Sequence, residues 1–197
     1  MGRKPVPDST SHLLVAVVMR VRDGRLETLF ARVERHASES LETALARAVD
    51  LSALAHVEQL ETQVLGDGTV ATIYLGLARA DSAIEGQWLT RMSKSDAALL
   101  AIARARLRAK LSYTNLGFAL APEVFTISEL REVYVAALGH DVSATNLQRV
   151  LLRRGALERV EGHRAPGRTG GRPAALFRFA AQRLEVTDEF AALRPPR

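Results

Sequence analysis

The side chains able to do chemistry in this sequence are mostly basic. In SATNLQRVLLRR, Thr145, Asn146, Arg149 and Arg153 recur at a spacing that gathers them on one side of a helix, because each helical residue advances about 100°. An amide can read adenine through a donor and an acceptor together, and a guanidinium can read guanine or clamp phosphate bidentately. Ser143 stands where it can cap that helix, and Arg154 extends its basic end. Further on, His163, Arg164, Arg168 and Arg172 are strung along a stretch loosened by Gly162, Gly167, Gly170 and Gly171. Together they could grip a polyanion. The plainer reading of the same residues is a solvated amphipathic helix followed by a basic linker.

Bond-making chemistry is poorly provided. His12, His36, His56, His140 and His163 show no metal-type pair at helical spacing. Cysteine is absent, which excludes disulfides, thiolate zinc sites and thiol catalysis and fits a reducing compartment. The segments GDG (Gly66 to Gly68) and GRTGG (Gly167 to Gly171) lack the setting of a phosphate-cradling loop, and nothing reads as a nucleophile elbow. No catalytic residue and no metal site is assigned, no cofactor is implied, and cofactor-binding residues stay unknown.

The formal net charge of +5 points to an acidic partner, nucleic acid first and a membrane surface second. The cations are nearly all arginine, the lysines being Lys4, Lys94 and Lys110. The apolar run LLVAVVM is too short to span a bilayer, and the polar residues before it show no signal-peptide pattern. A soluble cytoplasmic protein is expected.

These residues must be held by elements that the hydrophobic pattern predicts. HLLVAVVMRV reads as a buried strand, RDGR as a hairpin turn and LETLFARV as the returning strand. SLETALARAVDL reads as a short helix, and VEQLETQVL and TVATIYLGLA flank GDG as a second hairpin. SKSDAALLAIARARLRAKL reads as a long helix with Leu99, Ile102, Ala103 and Arg106 marking its spacing, closing an α+β unit near Lys110.

The second half changes character. Thr126 and Glu129 form a capping box, Leu130, Val133, Tyr134, Ala137 and Leu138 keep helical spacing, and Gly139 stops the helix. A second helix runs from Ser143 to Gly155, with Leu147, Val150 and Leu151 on its packing face. A strand ALERV, a wing loop from Glu161 to Arg172 and a strand from Ala174 to Phe179 follow, with Leu176, Phe177 and Phe179 as anchors. Helix, turn, helix and hairpin is the order of a winged helix.

Lys110, Tyr113 and Thr114, then Phe125 to Leu130, then Gly171 to Ala174 make this half resemble the Nudix-related transcriptional regulators (NrtR family). The first half is similar to a worn Nudix domain. Glu39 to Glu42 match the start of the Nudix box and Arg47 its arginine, but Ala48, Leu51 and Ser52 stand where carboxylates would hold Mg²⁺. Val33 takes the place of the box glycine, and the Pro-Gly-Gly segment before it is missing.

The resemblance implies a flexible N-terminus (1–11), a degenerate Nudix-like domain (12–111), a winged helix-turn-helix domain (112–190) and a tail (191–197). It also implies a homodimeric repressor on double-stranded DNA, answering to a nucleotide-type effector such as ADP-ribose and associated with the bacterial nucleoid. The competing readings are a Nudix-type pyrophosphohydrolase, which the missing carboxylates oppose, and a winged-helix adaptor for a protein partner.

Overall fold

A computed structural model of the chain describes residues 12–65, 68–89, 94–164 and 173–188. The sheet of the first half starts from β1 (His12–Arg22), which returns as β2 (Arg25–Glu34) through a two-residue turn. Asp23 and Gly24 in that turn have φ of 51° and 68°, the two positive angles whose twist matches a hairpin. The chain then forms α1 (Leu41–Ala48), β3 (His56–Val64) and β4 (Val70–Leu77). β4 pairs antiparallel with β3 and parallel with β1, so the order is β2-β1-β4-β3 and the parallel pair is reached by a crossover carrying α1. Of the second hairpin's turn, Gly66 and Asp67 lie outside the described residues.

Both sheet faces are covered, which is why β1 reads as a continuous apolar run rather than an alternation. Leu14, Ala16 and Val18 pack with Ala44 and Leu45 of α1. Val15, Val17 and Met19 face the other way, onto α2 (Lys94–Tyr113). The buried stripe of α2 is Leu100, Ala103, Leu107 and Leu111, which corrects the stripe expected from sequence. Leu99 and Ile102 are half-buried, and Arg106 is exposed, reaching Glu58 of β3 at 3.8 Å. A guanidinium cannot enter an apolar core unpaired, so the helix turns it outward. α1 is likewise shorter than expected: Val49 is already extended, and Asp50 caps a separate 3₁₀ turn at Leu51–Ala53.

One charge is buried by design of its surroundings. Arg20, 7% exposed, is held by Glu27 at 2.8 Å and lies 3.9 Å over the ring of Trp88. Pairing and the aromatic face replace the water it has lost. Trp88 donates to the Ile84 carbonyl, and Leu89 bonds Thr28 in both directions, so residues 84–89 run along the outer edge of β2.

The second half forms α3 (Ile127–Leu138), α4 (Ala144–Arg153), β5 (Leu157–Arg164) and β6 (Ala174–Phe179), after a 3₁₀ turn at Leu116–Ala119. A third strand position escaped the sequence reading: Phe125 and Phe177 exchange backbone hydrogen bonds of 2.9 and 2.8 Å. One apolar core runs from Leu100 and Leu107 through Leu116 and Phe125 to Leu130, Leu151 and Phe179, so the two halves share their interior. Among the described residues no helix is long and apolar enough to cross a membrane. The expected flexible N-terminus (1–11) and the tail (191–197) lie outside the described residues.

Two buried groups make this core testable. Gly117 sits so tightly that a Cβ would meet Phe179 Cζ and Tyr134 Oη, each at 2.8 Å. Tyr134 Oη is itself buried without a hydrogen-bond partner, and burial pushes its ionisation far above the usual phenol range. Gly117→Ala should cost about 1–3 kcal/mol by overpacking. Tyr134→Phe should leave the melting temperature unchanged or raise it, since it removes an unsatisfied hydroxyl. A clear fall on Tyr134→Phe, read by calorimetry, would reveal a partner for that hydroxyl.

On the far edge, Glu58 of β3 binds Lys110 of α2, with His56 Nε2 3.7 Å from the same carboxylate. Desolvation holds the His56 pKa below its ordinary value, outweighing the pull of Glu58. A lowered folded pKa means stability present above the unfolded value, near 6.5, and lost as pH falls through the folded one. His56→Gln should therefore flatten the decline of melting temperature with acidification in the window just under that value. An unchanged slope would show that His56 is not the titrating group.

Candidate nucleic-acid interface

α4 is placed by its two ends. At its start the Ser143 hydroxyl accepts from Asn146 N at 3.3 Å, so the expected cap is present. The turn before it is gripped by Arg131 of α3, which donates to the Val142 carbonyl at 2.7 Å and pairs with Asp141. Gly139, at φ 74°, ends α3 in the left-handed conformation that glycine adopts without strain. Leu147 and Leu151 are buried against the rest of the domain, and Val150 is half-buried. That packing turns Thr145, Asn146, Arg149, Leu152 and Arg153 to the surface.

Two of these side chains are coupled. Arg149 Nη2 donates to Asn146 Oδ1 at 2.8 Å. One of the two lone pairs of the amide oxygen is thereby taken, which leaves the second and the NH₂ donor free to meet a base edge. In this geometry Asn146 also orients the guanidinium of Arg149. Leu152, 40% exposed, was not counted from sequence; it lies three residues after Arg149 on the same open arc and offers an apolar contact of the kind a thymine methyl takes.

Arg154, grouped by sequence with the DNA-facing residues, points inward. Its side chain is 11% exposed, with Nη2 2.6 Å from Asp188 and Nη1 donating to the Ser112 carbonyl at 2.9 Å. It follows Leu147 by seven residues, two full turns, and so falls on the packing side of α4. It joins the end of α4 to the end of α2 and to the last described segment.

The hairpin also differs from expectation. β5 continues through Arg164, so Glu161 to Arg164 belong to a strand and not to the wing loop. The pairing slips between Val160 and His163, and Gly162 at φ 99° supplies the bulge. His163 is exposed there. Arg164 donates to Glu129 Oε2 at 3.1 Å, the same oxygen that accepts from Thr126 N in the capping box, and thus fastens the hairpin to the start of α3. Arg168 and Arg172 lie outside the described residues, as do Gly167, Gly170 and Gly171.

At the opposite end of the first half, the box-like segment keeps its frame. Glu39 binds Arg47 at 2.7 Å, and that hydrogen bond, followed by one from His36 N, holds the Glu39 carboxyl below the usual range. Arg47 also donates to the Glu34 carbonyl at 2.7 Å. Ser52 donates to the Asp50 carboxylate at 2.7 Å within the 3₁₀ turn that follows. Beside that turn opens a cavity of about 620 Å³, bordered by Ser52, Leu54, Arg79 and Asp81 of the first half and by Phe118 and Gln182 of the second.

The element order, the third strand and the open face of α4 match a known domain. Residues 117–179 match the NrtR DNA-binding winged helix domain. The NrtR likeness extends to the whole fold: NrtR of Shewanella oneidensis in complex with a 27mer DNA superposes with a TM-score of 0.65 at 23% identity, over 85% of this chain and 93% of that one. A MutT/nudix family protein of Enterococcus faecalis superposes with a TM-score of 0.64 at 16% identity, over 89% and 90% of the two chains. In sequence, the ADPR-responsive transcriptional repressor NtrR of Acinetobacter baylyi is 38% identical over 84 residues, 43% of this chain. The matched stretch spans 32% of that relative's length.

The contrast between the two neighbouring arginines at the end of α4 can be measured. Arg154→Ala removes a mostly buried, paired guanidinium together with its bonds to Asp188 and the Ser112 carbonyl and should cost about 3–5 kcal/mol. Arg153→Ala should stay within about 0.5 kcal/mol of the parent, as surface changes do. Equal melting temperatures for the two variants would contradict the inward placement of Arg154.

Proposed function

We propose that the protein is a sequence-specific transcriptional regulator, acting as a homodimeric repressor in the bacterial cytoplasm. The observation that carries the reading is the exposed face of α4, with Thr145, Asn146, Arg149 and Arg153, inside a segment that matches the NrtR DNA-binding winged helix domain. Such a helix enters a major groove, and two copies read half-sites whose spacing follows the dimer's symmetry. Arg149 is the principal reader, on guanine, held in orientation by Asn146. Arg153 and the wing arginines, Arg164, Arg168 and Arg172, act with His163 on phosphates and fix the register. Arg164 remains 50% exposed despite its bond to Glu129.

Hydrolysis has no part in this reading. Mg²⁺ requires hard oxygen ligands, and Ala48, Leu51 and Ser52 occupy the positions of the box carboxylates. The first half serves dimerisation and the sensing of a nucleotide-type effector such as ADP-ribose. The name of the Acinetobacter relative supports that class, and the cavity beside Ser52 offers space for it. The domain limits in this reading are 12–111 for the first half and 112–190 for the winged helix.

The test is an anisotropy titration on an operator from the protein's own gene neighbourhood, against random duplex, at several salt concentrations. Arg149→Ala should weaken operator binding about 10- to 100-fold, equivalent to about 1–3 kcal/mol, and relax the preference at one guanine. Asn146→Ala should weaken binding while leaving base preferences intact. Arg153→Ala should weaken all duplexes alike and flatten the salt dependence. Equal affinity for operator and random duplex would sink the regulator; a lost adenine preference in Asn146→Ala would make Asn146 a reader in its own right.

A further inference from the structure

Several arginines of the fold are answered by carboxylates: Arg20 by Glu27, Arg47 by Glu39, Arg154 by Asp188, Arg178 by Glu158. Three that are not answered line one crevice. Arg25 leads out of the β1–β2 turn, and Arg104 and Arg108 stand one helical turn apart on α2. The crevice measures about 480 Å³, and its other wall is the end of α3, from Val135 to Gly139. No carboxylate pairs with any of the three among the described residues.

Arg104 is half-buried, and its Nε is shut off from solvent without a hydrogen-bond partner. Arg108 lies against Gly139, where a Cβ would stand 2.7 Å from its Nη2. Arg22 stands opposite Arg25 in the hairpin register and adds a further cation to that turn. Like charges crowded between apolar walls repel one another and focus a positive potential into the gap. Guanidinium forks match the oxygen spacing of phosphate.

We propose that this crevice is an anion site for a phosphate-bearing small molecule, seated between Arg104 and Arg108 with Arg25 closing over it. It is separate from the α4 face and from the cavity beside Ser52, which other residues line. Its walls come from both halves of the chain, so an anion there ties α3 to α2.

The proposal is tested on the full chain without DNA, by calorimetric titration with inorganic pyrophosphate at ionic strength matched with sodium chloride. Saturable binding is expected, weakened at least tenfold in the Arg104→Gln/Arg108→Gln double variant and severalfold in Arg25→Gln. The last change is on an exposed turn and keeps the fold intact, which its circular dichroism would show. No saturable binding, or equal binding by parent and Arg25→Gln, would overturn the site. So would pyrophosphate indifference coupled with a reduced salt dependence of DNA binding in the same variants, which would assign the arginines to backbone phosphates. Because the titration contains no DNA, its failure and that of the regulator reading are told apart.

Discussion

Asn115 carries the backbone connection on which the second half depends. It is 2% exposed, at the point where α2 has ended and the chain must turn into the winged helix. A polar turn placed inside a core must satisfy every donor and acceptor internally. Asn115 does so with the segment that comes last: Nδ2 donates to the carbonyls of Ala181 and Arg183, Oδ1 accepts from Glu185 N, and its own N–H donates to Glu185 O at 3.1 Å. Beside it the Thr114 hydroxyl donates to the Lys110 carbonyl and accepts from Leu116 N, closing α2. Thr187 and Asp188 then bond the Tyr113 carbonyl. The Lys110, Tyr113 and Thr114 spacing noted in the sequence is the footprint of this joint.

Because the joint is buried, the winged helix is not a bead on a string. The stripe of α2 that covers the sheet continues into the residues that carry α3 and α4. Arg154 fastens the same seam from the other side, and Arg131 and Ser143 fix where α4 begins. The face offered to a partner is therefore aimed by contacts that never touch it. α2 is joined to α3 and α4 by packed side chains and not by an exposed linker.

Much of this was legible in the chain, for local reasons. The capping box at Thr126 and Glu129, the stop at Gly139 and the turn at Asp23 and Gly24 depend on neighbours a few residues away. The open arc of α4 followed from helical spacing alone. What was missed depended on distant partners. A one-residue strand such as Phe125 has no alternation to read, and its mate Phe177 lies far along the chain. Arg154 looks like its neighbour Arg153 until Asp188 and Ser112 are in place, although counting two turns from Leu147 would have turned it inward. The stripe on α2 was misread by one residue because alanines and leucines surround it on all sides, so the pattern there is weak. The Asn146–Arg149 bond is a matter of rotamers, which spacing does not specify.

The bridge between Phe125 and Phe177 also orders events during synthesis. β1, β2, α1, β3 and β4 contain everything the sheet needs for its pairing, and all of it emerges in the first part of the chain. The winged helix cannot close until Phe177, Phe179 and then Asp188 have left the ribosome, since these supply the third strand's mate, the aromatic partner 5.5 Å from Phe125, and the counter-charge of Arg154. Until then Leu111, Leu116 and Phe125 have no cover on one side. Non-local closure of this kind is slow relative to local pairing and leaves apolar surface in contact with water meanwhile. A chain cut short before Phe177 would keep every strand of the first sheet and lose the partners of Phe125 and Arg154, so the late residues carry a share of the core out of proportion to their number.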